Sequence, residues 1–355
     1  MIASYPLRFL RDNVRYGRNI PSFPFLLNYS VTFRCNLDCR YCGVSRLKEN
    51  YADTEVNCRE ISSFLCDERL KKLDAIFITG GEPFLKNDLP DILMAFQEKV
   101  FPRVFHITTN GYLTDGIVDS VKFLKSKGLN MHIKVSIDDI ADAHDALRGR
   151  RGSFENAVRT IERLRSIFDR KKLLIGINQT VFEENYRSIP RVKALAESLD
   201  ASYRGIVGLK KRPLYSEDVL DDFGLVDLSD EAKETIKAEF KEIYFKRRSI
   251  ASPLAMIDDM AIRYYVDKQL KLLDGSDLVR HKCMSLFTYF RLNPNGDVIT
   301  CSYDLDVLGN IRGEAYSSIM EKDVTLEKLC KIKGCSKCWL GCEAMPSWVS
   351  SLFCG

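Results

Sequence analysis

Three cysteines, Cys35, Cys39 and Cys42, fall within the short stretch RCNLDCRYCG. Thiols at this density suit a metal, the alternatives being a partial zinc site or clustered free thiols. A zinc site would need a fourth ligand, and the four histidines of the chain are remote in sequence. A cubane [4Fe–4S] cluster has four irons, so three thiolates can hold three of them and leave one open to a non-protein ligand. The Cys-x3-Cys-x2-Cys spacing lets one loop wrap a cube face. Tyr41, just before the last cysteine, can pack beside it.

Other segments offer polar groups that suit a small charged ligand. TGGEPFL carries Gly80, Gly81, Glu82 and Pro83. Paired glycines allow close backbone approach, and a carboxylate can receive an ammonium group. TTNG offers Asn110 beside a turn glycine. VSIDD places Ser136 and Asp138 two apart, on one face of a strand. Such a pair can hold two ribose hydroxyls. HDALRGRRGSF supplies Arg148, which can pair with a carboxylate. Taken singly, each is a common surface feature. Together they describe a ligand with an ammonium, a carboxylate and a ribose beside an open iron.

These residues need a frame. Runs rich in β-branched residues alternate with amphipathic ones along the first 210 residues. Strands are predicted at 25–33, 75–79, 103–109, 131–137, 172–181 and 202–209. Helices are predicted at 58–73, 88–100, 114–128, 153–168 and 186–200. Six such repeats form a parallel sheet with right-handed crossovers, either a partial (β/α) barrel or an open doubly wound sheet. Both put the motif loops at the C-terminal ends of the strands, so all share one mouth. Residues 210–228 read as a connection and 229–273 as two helices. A hairpin with an Asn-Pro-Asn-Gly turn follows at 290–304.

The cysteine loop and GGEP together resemble the radical S-adenosylmethionine (SAM) superfamily, over about residues 25–210. The resemblance implies a partial (β/α)6 TIM-like barrel. It implies that Cys35, Cys39 and Cys42 hold a [4Fe–4S] cluster whose open iron chelates the amino and carboxylate groups of SAM. It assigns the amino group to Gly80–Glu82, the ribose to Ser136 and Asp138, and the carboxylate to Arg148. Tyr41, Pro83 and Asn110 complete the expected cofactor-binding set. One electron from the cluster then cleaves the sulfonium, and the 5′-deoxyadenosyl radical abstracts hydrogen from a substrate.

The tail holds seven of the twelve cysteines. Cys283, Gly296 and Cys301 fit the Cys-x(9–15)-Gly-x4-Cys element that opens the SPASM/twitch extension of many such enzymes. Cys330, Cys335, Cys338, Cys342 and Cys354 follow. Their Cys-x4-Cys-x2-Cys-x3-Cys spacing departs from the full SPASM pattern. The resemblance implies at least one auxiliary [4Fe–4S] cluster on Cys283, Cys301 and members of the Cys335, Cys338 and Cys342 trio. Cys330 and Cys354 are candidates for a second. A zinc ribbon is the alternative.

The expected organisation is an N-terminal extension at 1–24, the core barrel at 25–209, a linker and helical segment at 210–275, and the cysteine-rich domain at 276–355. A hydrophobic share of 45% and a charged share of 29% are those of ordinary soluble domains. A net charge of +4 gives no basic stripe for nucleic acid. The N-terminus lacks a signal-peptide core, and no run is long enough to span a bilayer. The expected location is cytoplasmic, where clustered cysteines bind metal rather than form disulfides. The apolar, basic N-terminus leaves membrane contact open.

The expected substrate is a small polar metabolite such as a sugar, aminocyclitol or nucleoside, oxidised or rearranged by an oxidoreductase of dehydrogenase type. A flavodoxin- or ferredoxin-type protein would supply electrons. Alternatives are a peptide- or protein-modifying enzyme, a lipid-directed one, or a non-enzymatic electron carrier. The few residues before the first strand argue against an added peptide-recognition domain. A carrier would need no SAM pocket. Tyr112, Asp139, His144, Arg204 and Lys210 lie near the predicted mouth, and none is assigned as the general base.

Overall fold

The computed structural model describes residues 14–18, 20, 23–44, 54–208, 226–246, 253–275, 283–302 and 304–335. Cys338, Cys342, Cys354 and Lys210 lie outside these residues.

Six parallel strands form the frame: β1 (Leu26–Thr32), β2 (Ala75–Gly80), β3 (Val104–Thr109), β4 (Met131–Ser136), β5 (Leu174–Val181) and β6 (Ser202–Val207). Each pairs with its sequence neighbour. This is the partial TIM-like core. Helices between them cover one face: α1 (Cys58–Phe64), α2 (Leu89–Lys99), α3 (Thr114–Ser126), α4 (Ala141–Arg148), α5 (Ser153–Ile167) and α6 (Ile189–Ser198). Strand side chains such as Leu27, Ile76, Ile107, Ile133 and Ile177 pack there against Ile92, Phe96, Leu124, Ile161 and Val192. Burial of this apolar face drives the layer together.

Two elements differ from the sequence reading. The helix expected at 58–73 ends at Phe64, and a 3-10 turn covers Glu68–Lys72. The Asp67 carboxylate accepts from Arg69 N at 2.8 Å, a local cap that competes with helix continuation. The short helix α4 was not expected. Gly149 ends it at φ +68°, a left-handed conformation that favours glycine.

Two further helices, α7 (Asp230–Phe245) and α8 (Pro253–Leu273), close the open side. β6 is an edge strand. Two of its outward N–H groups are satisfied by these helices: Gly205 N donates to Tyr244 Oη and Val207 N to Gln269 Oε1, each at 2.8 Å. The edge is thereby protected from pairing with another chain. Ala261 and Tyr264 of α8 pack with Leu26, Ala75, Val104 and Tyr289 at the strand starts. So α8 reaches from the β6 edge to the N-terminal end of the barrel.

The tail extends the same sheet. β7 (Tyr289–Leu292) pairs in parallel with β1, and antiparallel β8 (Asp297–Cys301) and β9 (Asp304–Asn310) follow. Gly296 makes the expected turn at φ +91°. The third strand, β9, is an addition to the expected hairpin. Helices α9 (Tyr316–Glu321) and α10 (Asp323–Ile332) return over it. Among the described residues, no helix is long and apolar enough to cross a membrane.

A Cβ at Gly149 would lie 2.2 Å from the carbonyl oxygen of Asp38, inside the cysteine loop. Gly149→Ala therefore combines a left-handed backbone with a backbone clash. We expect it to cost about 2 kcal/mol or more, read as a lower urea midpoint at unchanged m-value. An unchanged midpoint would show that this contact imposes no constraint.

Candidate functional site

The cysteine loop leaves β1 and is seated by its neighbours. Gly81 N donates to Thr32 O at 2.7 Å and Glu82 N to Arg34 O at 2.9 Å. An added Cβ would lie 2.1 Å from Thr32 O at Gly80 and 2.1 Å from Arg34 O at Gly81. The two glycines thus receive the backbone of the cysteine loop. From the other side, Arg40 N donates to Leu147 O of α4 at 3.1 Å.

The three thiols are close enough to feel one another's charge. Burial raises the Cys35 thiol and pushes Cys39 up to about 12. Such thiols ionise when a metal replaces the proton. Donors already face them: Asn110 Nδ2 is 3.9 Å from Cys35 Sγ, and Arg148 Nη1 is 3.8 Å from Cys39 Sγ. Cys42 packs against Phe33, Val44 and Ile299. Among the described residues, no three His, Cys, Asp or Glu side chains gather around a single metal ion. A cubane makes a different demand, because each thiolate reaches its own iron. Three half-buried thiols, two with donors beside them, fit that demand.

Glu82 is fully buried. Its carboxylate accepts from Thr109 Oγ1 at 2.8 Å, Asn110 N at 2.7 Å and Phe84 N at 3.2 Å. Burial pushes its pKa up to about 7. In this structure the side chain ties the β2 loop to the β3 loop, while Pro83 starts a short 3-10 turn. Asn110 reaches back to the cysteine loop, donating to Asn36 Oδ1 at 2.8 Å.

Asp138 is also fully buried. It pairs with Arg148 Nε at 2.6 Å, accepts from Thr180 N at 2.8 Å and receives the Tyr41 hydroxyl. His144 Nδ1 accepts from Asp138 N at 3.0 Å. Tyr41 packs on Phe182 with ring centroids 4.3 Å apart, and the Arg148 guanidinium lies 5.7 Å from its ring centre. Cys39, Tyr41, Asp138 and Arg148 therefore form one cluster, buried at Asp138 and Arg148. The two residues expected to meet ribose and carboxylate are here joined to each other. Ser136 is half-buried at the end of β4, level with Asn178.

Sequence reasoning missed Asn36, Thr109, Thr180, Gln179 and Asn185, which hold this frame. Gln179 Nε2 and Asn185 Nδ2 both donate to Asp138 O, at 3.0 and 2.8 Å. Their signal was weak, since each is a common polar residue near a strand end. Of the residues left without a role, Asp139 meets Arg191 at 3.3 Å, and Tyr112 lies under Arg150 at 4.2 Å.

In the tail, Ser285 Oγ donates to Thr300 O, which sets the Cys283 segment beside the Cys301 end of β8. Cys283 is buried and Cys335 exposed, and both act electrostatically on Tyr16. Cys330 is exposed on α10.

Residues 29–192 match the Radical SAM superfamily. They are a radical SAM domain. The family's cofactors are a [4Fe–4S] cluster and SAM. An Fe-coproporphyrin III synthase from Methanosarcina barkeri is 31% identical over 197 residues, 52% of this chain and 47% of that protein. The chain thus spans about half the length of this relative. An AdoMet-dependent heme synthase from the same organism is 26% identical over 341 residues, 90% of this chain and 91% of that protein. Among solved structures, native anSMEcpe with bound AdoMet and Cp18Cys peptide aligns with a TM-score of 0.56 and 18% identity, covering 90% of this chain and 87% of the other. At 90% coverage, the shared fold extends beyond the barrel.

Two outcomes test the buried charges. Arg148→Met strands the Asp138 carboxylate, and we expect a loss of about 3 kcal/mol or more in urea unfolding. A loss below 1 kcal/mol would mean that Asp138 finds solvent or another donor. Glu82 holds its proton up to about pH 7 when folded but releases it near 4.5 when unfolded. Its stabilising contribution is full below pH 4.5 and is lost as pH rises to 7, by about 3 kcal/mol. Glu82→Gln should remove that part of the slope. A pH profile parallel to wild type would contradict the raised pKa.

Proposed function

We propose that the chain is a radical SAM enzyme that abstracts hydrogen from a biosynthetic small molecule bound within the barrel, oxidising or rearranging it. The observation that supports this best is the seating of the Cys35–Cys39–Cys42 loop on Gly80, Gly81 and Gly149, with Asn110 and Arg148 directed at its thiols. When bound, the cluster and SAM together supply the 5′-deoxyadenosyl radical.

The chain's own residues do the rest. Cys35, Cys39 and Cys42 hold the cluster. Arg148 places positive charge beside Cys39 and is itself fixed by Asp138 and Tyr41. The backbone at Gly80–Glu82 lines the SAM amino group, with Glu82 keeping the loop in place. Ser136, at the rim of β4, meets the ribose. The packed helices and the tail sheet limit water around the radical.

In the tail we assign at least one auxiliary [4Fe–4S] cluster to Cys283, Cys301 and partners among Cys335, Cys338 and Cys342. It would take up the substrate electron after hydrogen abstraction. A flavodoxin- or ferredoxin-type reductant would supply the electron consumed at the mouth. The match to a heme synthase across nine-tenths of both chains favours a biosynthetic small molecule over a peptide. The peptide-bound neighbour supports only a common fold.

Anaerobic reconstitution with SAM and dithionite tests the reading. Wild-type protein should yield 5′-deoxyadenosine. The Cys35→Ala/Cys39→Ala/Cys42→Ala protein should yield none and retain about four irons per chain, or about eight with two auxiliary clusters. Product from the triple variant would refute the assignment of the mouth, and zinc in place of tail iron would refute the electron-transfer role.

A further inference from the structure

Arg148 closes the short helix α4, and the turn around it is pinned to the cysteine loop. Arg40 N donates to Leu147 O at 3.1 Å, and Arg150 Nη1 donates to Asn36 O at 2.6 Å. Between these two contacts Gly149 lies so close to Asp38 O that a Cβ would overlap it. Residues on both sides of Arg148 are therefore fixed to residues on both sides of Cys39. The side chain of Arg148 is buried, and its Nη1 lies 3.8 Å from Cys39 Sγ, within reach of an N–H···S hydrogen bond. The backbone around both residues imposes this contact.

The guanidinium is held from behind as well. Its Nε meets Asp138 Oδ2 at 2.6 Å, the oxygen that also receives the Tyr41 hydroxyl. Thr180 N donates to Asp138 Oδ1 at 2.8 Å, so the carboxylate is itself fixed at both oxygens. The Arg148–Asp138 pair thus points its positive end at Cys39. The other two thiols have different neighbours. Cys35 faces the neutral amide of Asn110 at 3.9 Å, and Cys42 packs against Phe33, Val44 and Ile299. Burial raises the Cys39 thiol. Among the charges acting on it, Arg148 comes first and lowers it, ahead of Cys42 and Asp138, which raise it.

An iron–sulfur cluster carries one more negative charge when reduced. A fixed cation and a hydrogen bond at a ligand sulfur therefore both favour the reduced form. We infer that Arg148 sets the reduction potential of the mouth cluster, holding it upward through Cys39, and that Asp138 is the positioning residue that aims the guanidinium. This rests on the radical SAM reading for the presence of the cluster. It departs from the expectation that Arg148 serves the SAM carboxylate, because a guanidinium committed to Asp138 and Cys39 acts on the cluster before SAM arrives. The external reductant supplies the single electron, and the guanidinium keeps its proton throughout.

The test is an anaerobic potentiometric titration of the reconstituted full chain without SAM, read by electron paramagnetic resonance of the reduced clusters. Signal absent from the Cys35→Ala/Cys39→Ala/Cys42→Ala protein belongs to the mouth. Arg148→Met should shift that cluster about tenfold towards the oxidised form, or about 59 mV downward. Asp138→Asn keeps an acceptor oxygen for Arg148 but removes the opposing charge, and should shift the potential upward. Arg148→Lys keeps the charge and should lie closer to wild type than Arg148→Met does. A merely structural role gives no reason for the Met and Asn variants to move in opposite directions. If Arg148→Met takes up no mouth cluster, the Asp138→Asn shift decides: upward supports the proposal, and none or downward overturns it. Unchanged potentials overturn it too, as does weakened SAM binding at an unshifted potential, which would return Arg148 to the carboxylate. The 5′-deoxyadenosine assay on wild type separates the two readings. Deoxyadenosine with unmoved potentials keeps the radical reading and sinks this one. Opposed shifts without deoxyadenosine do the reverse, and a wild type with no mouth signal sinks both.

Discussion

The mouth of this barrel depends on a close approach between backbones. The cysteine loop lies against Gly80 and Gly81 on one side and Gly149 on the other, at distances where a methyl group would overlap carbonyl oxygen. Hydrogen bonds from Gly81 N, Glu82 N and Arg40 N then fix the loop without using its side chains. The thiols are left within reach of one another's charge. A loop held by side chains would have to satisfy each of them separately. A loop held by backbone leaves its cysteines available.

The second layer of the site is electrostatic. Two buried carboxylates, Glu82 and Asp138, would be costly alone. Each is surrounded by donors from neighbouring strand ends. Glu82 gathers the β3 loop, and Asp138 gathers Arg148, Tyr41 and the C-terminal end of β5. The carboxylates thus act as knots between consecutive loops. Arg148 carries this order into the cysteine loop through Cys39. The tail sheet continues from β1 through β7, so the frame that carries Cys301 is hydrogen-bonded to the frame that carries Cys35.

Much of this was legible in the residues. Six strands read from β-branched runs stand in the parallel order expected, because side-chain periodicity is local information. The cysteine spacing and GGEP identified the domain, because a cluster loop must be short and its neighbour must be small. The break after Phe64 was not legible, since it turns on one competing cap at Asp67. Helix α4 escaped notice because its eight residues span little more than two turns.

What the sequence determined by itself is the chemistry on offer: three thiols in one loop, glycines beside them and a cysteine-rich tail. Only the tertiary structure decided how the charges are shared. Asp138 and Arg148 are ten residues apart and were read as two separate ligand contacts, yet they close on each other. Composition counts charges, but the free energy of a charge depends on what the fold places within a few ångströms of it.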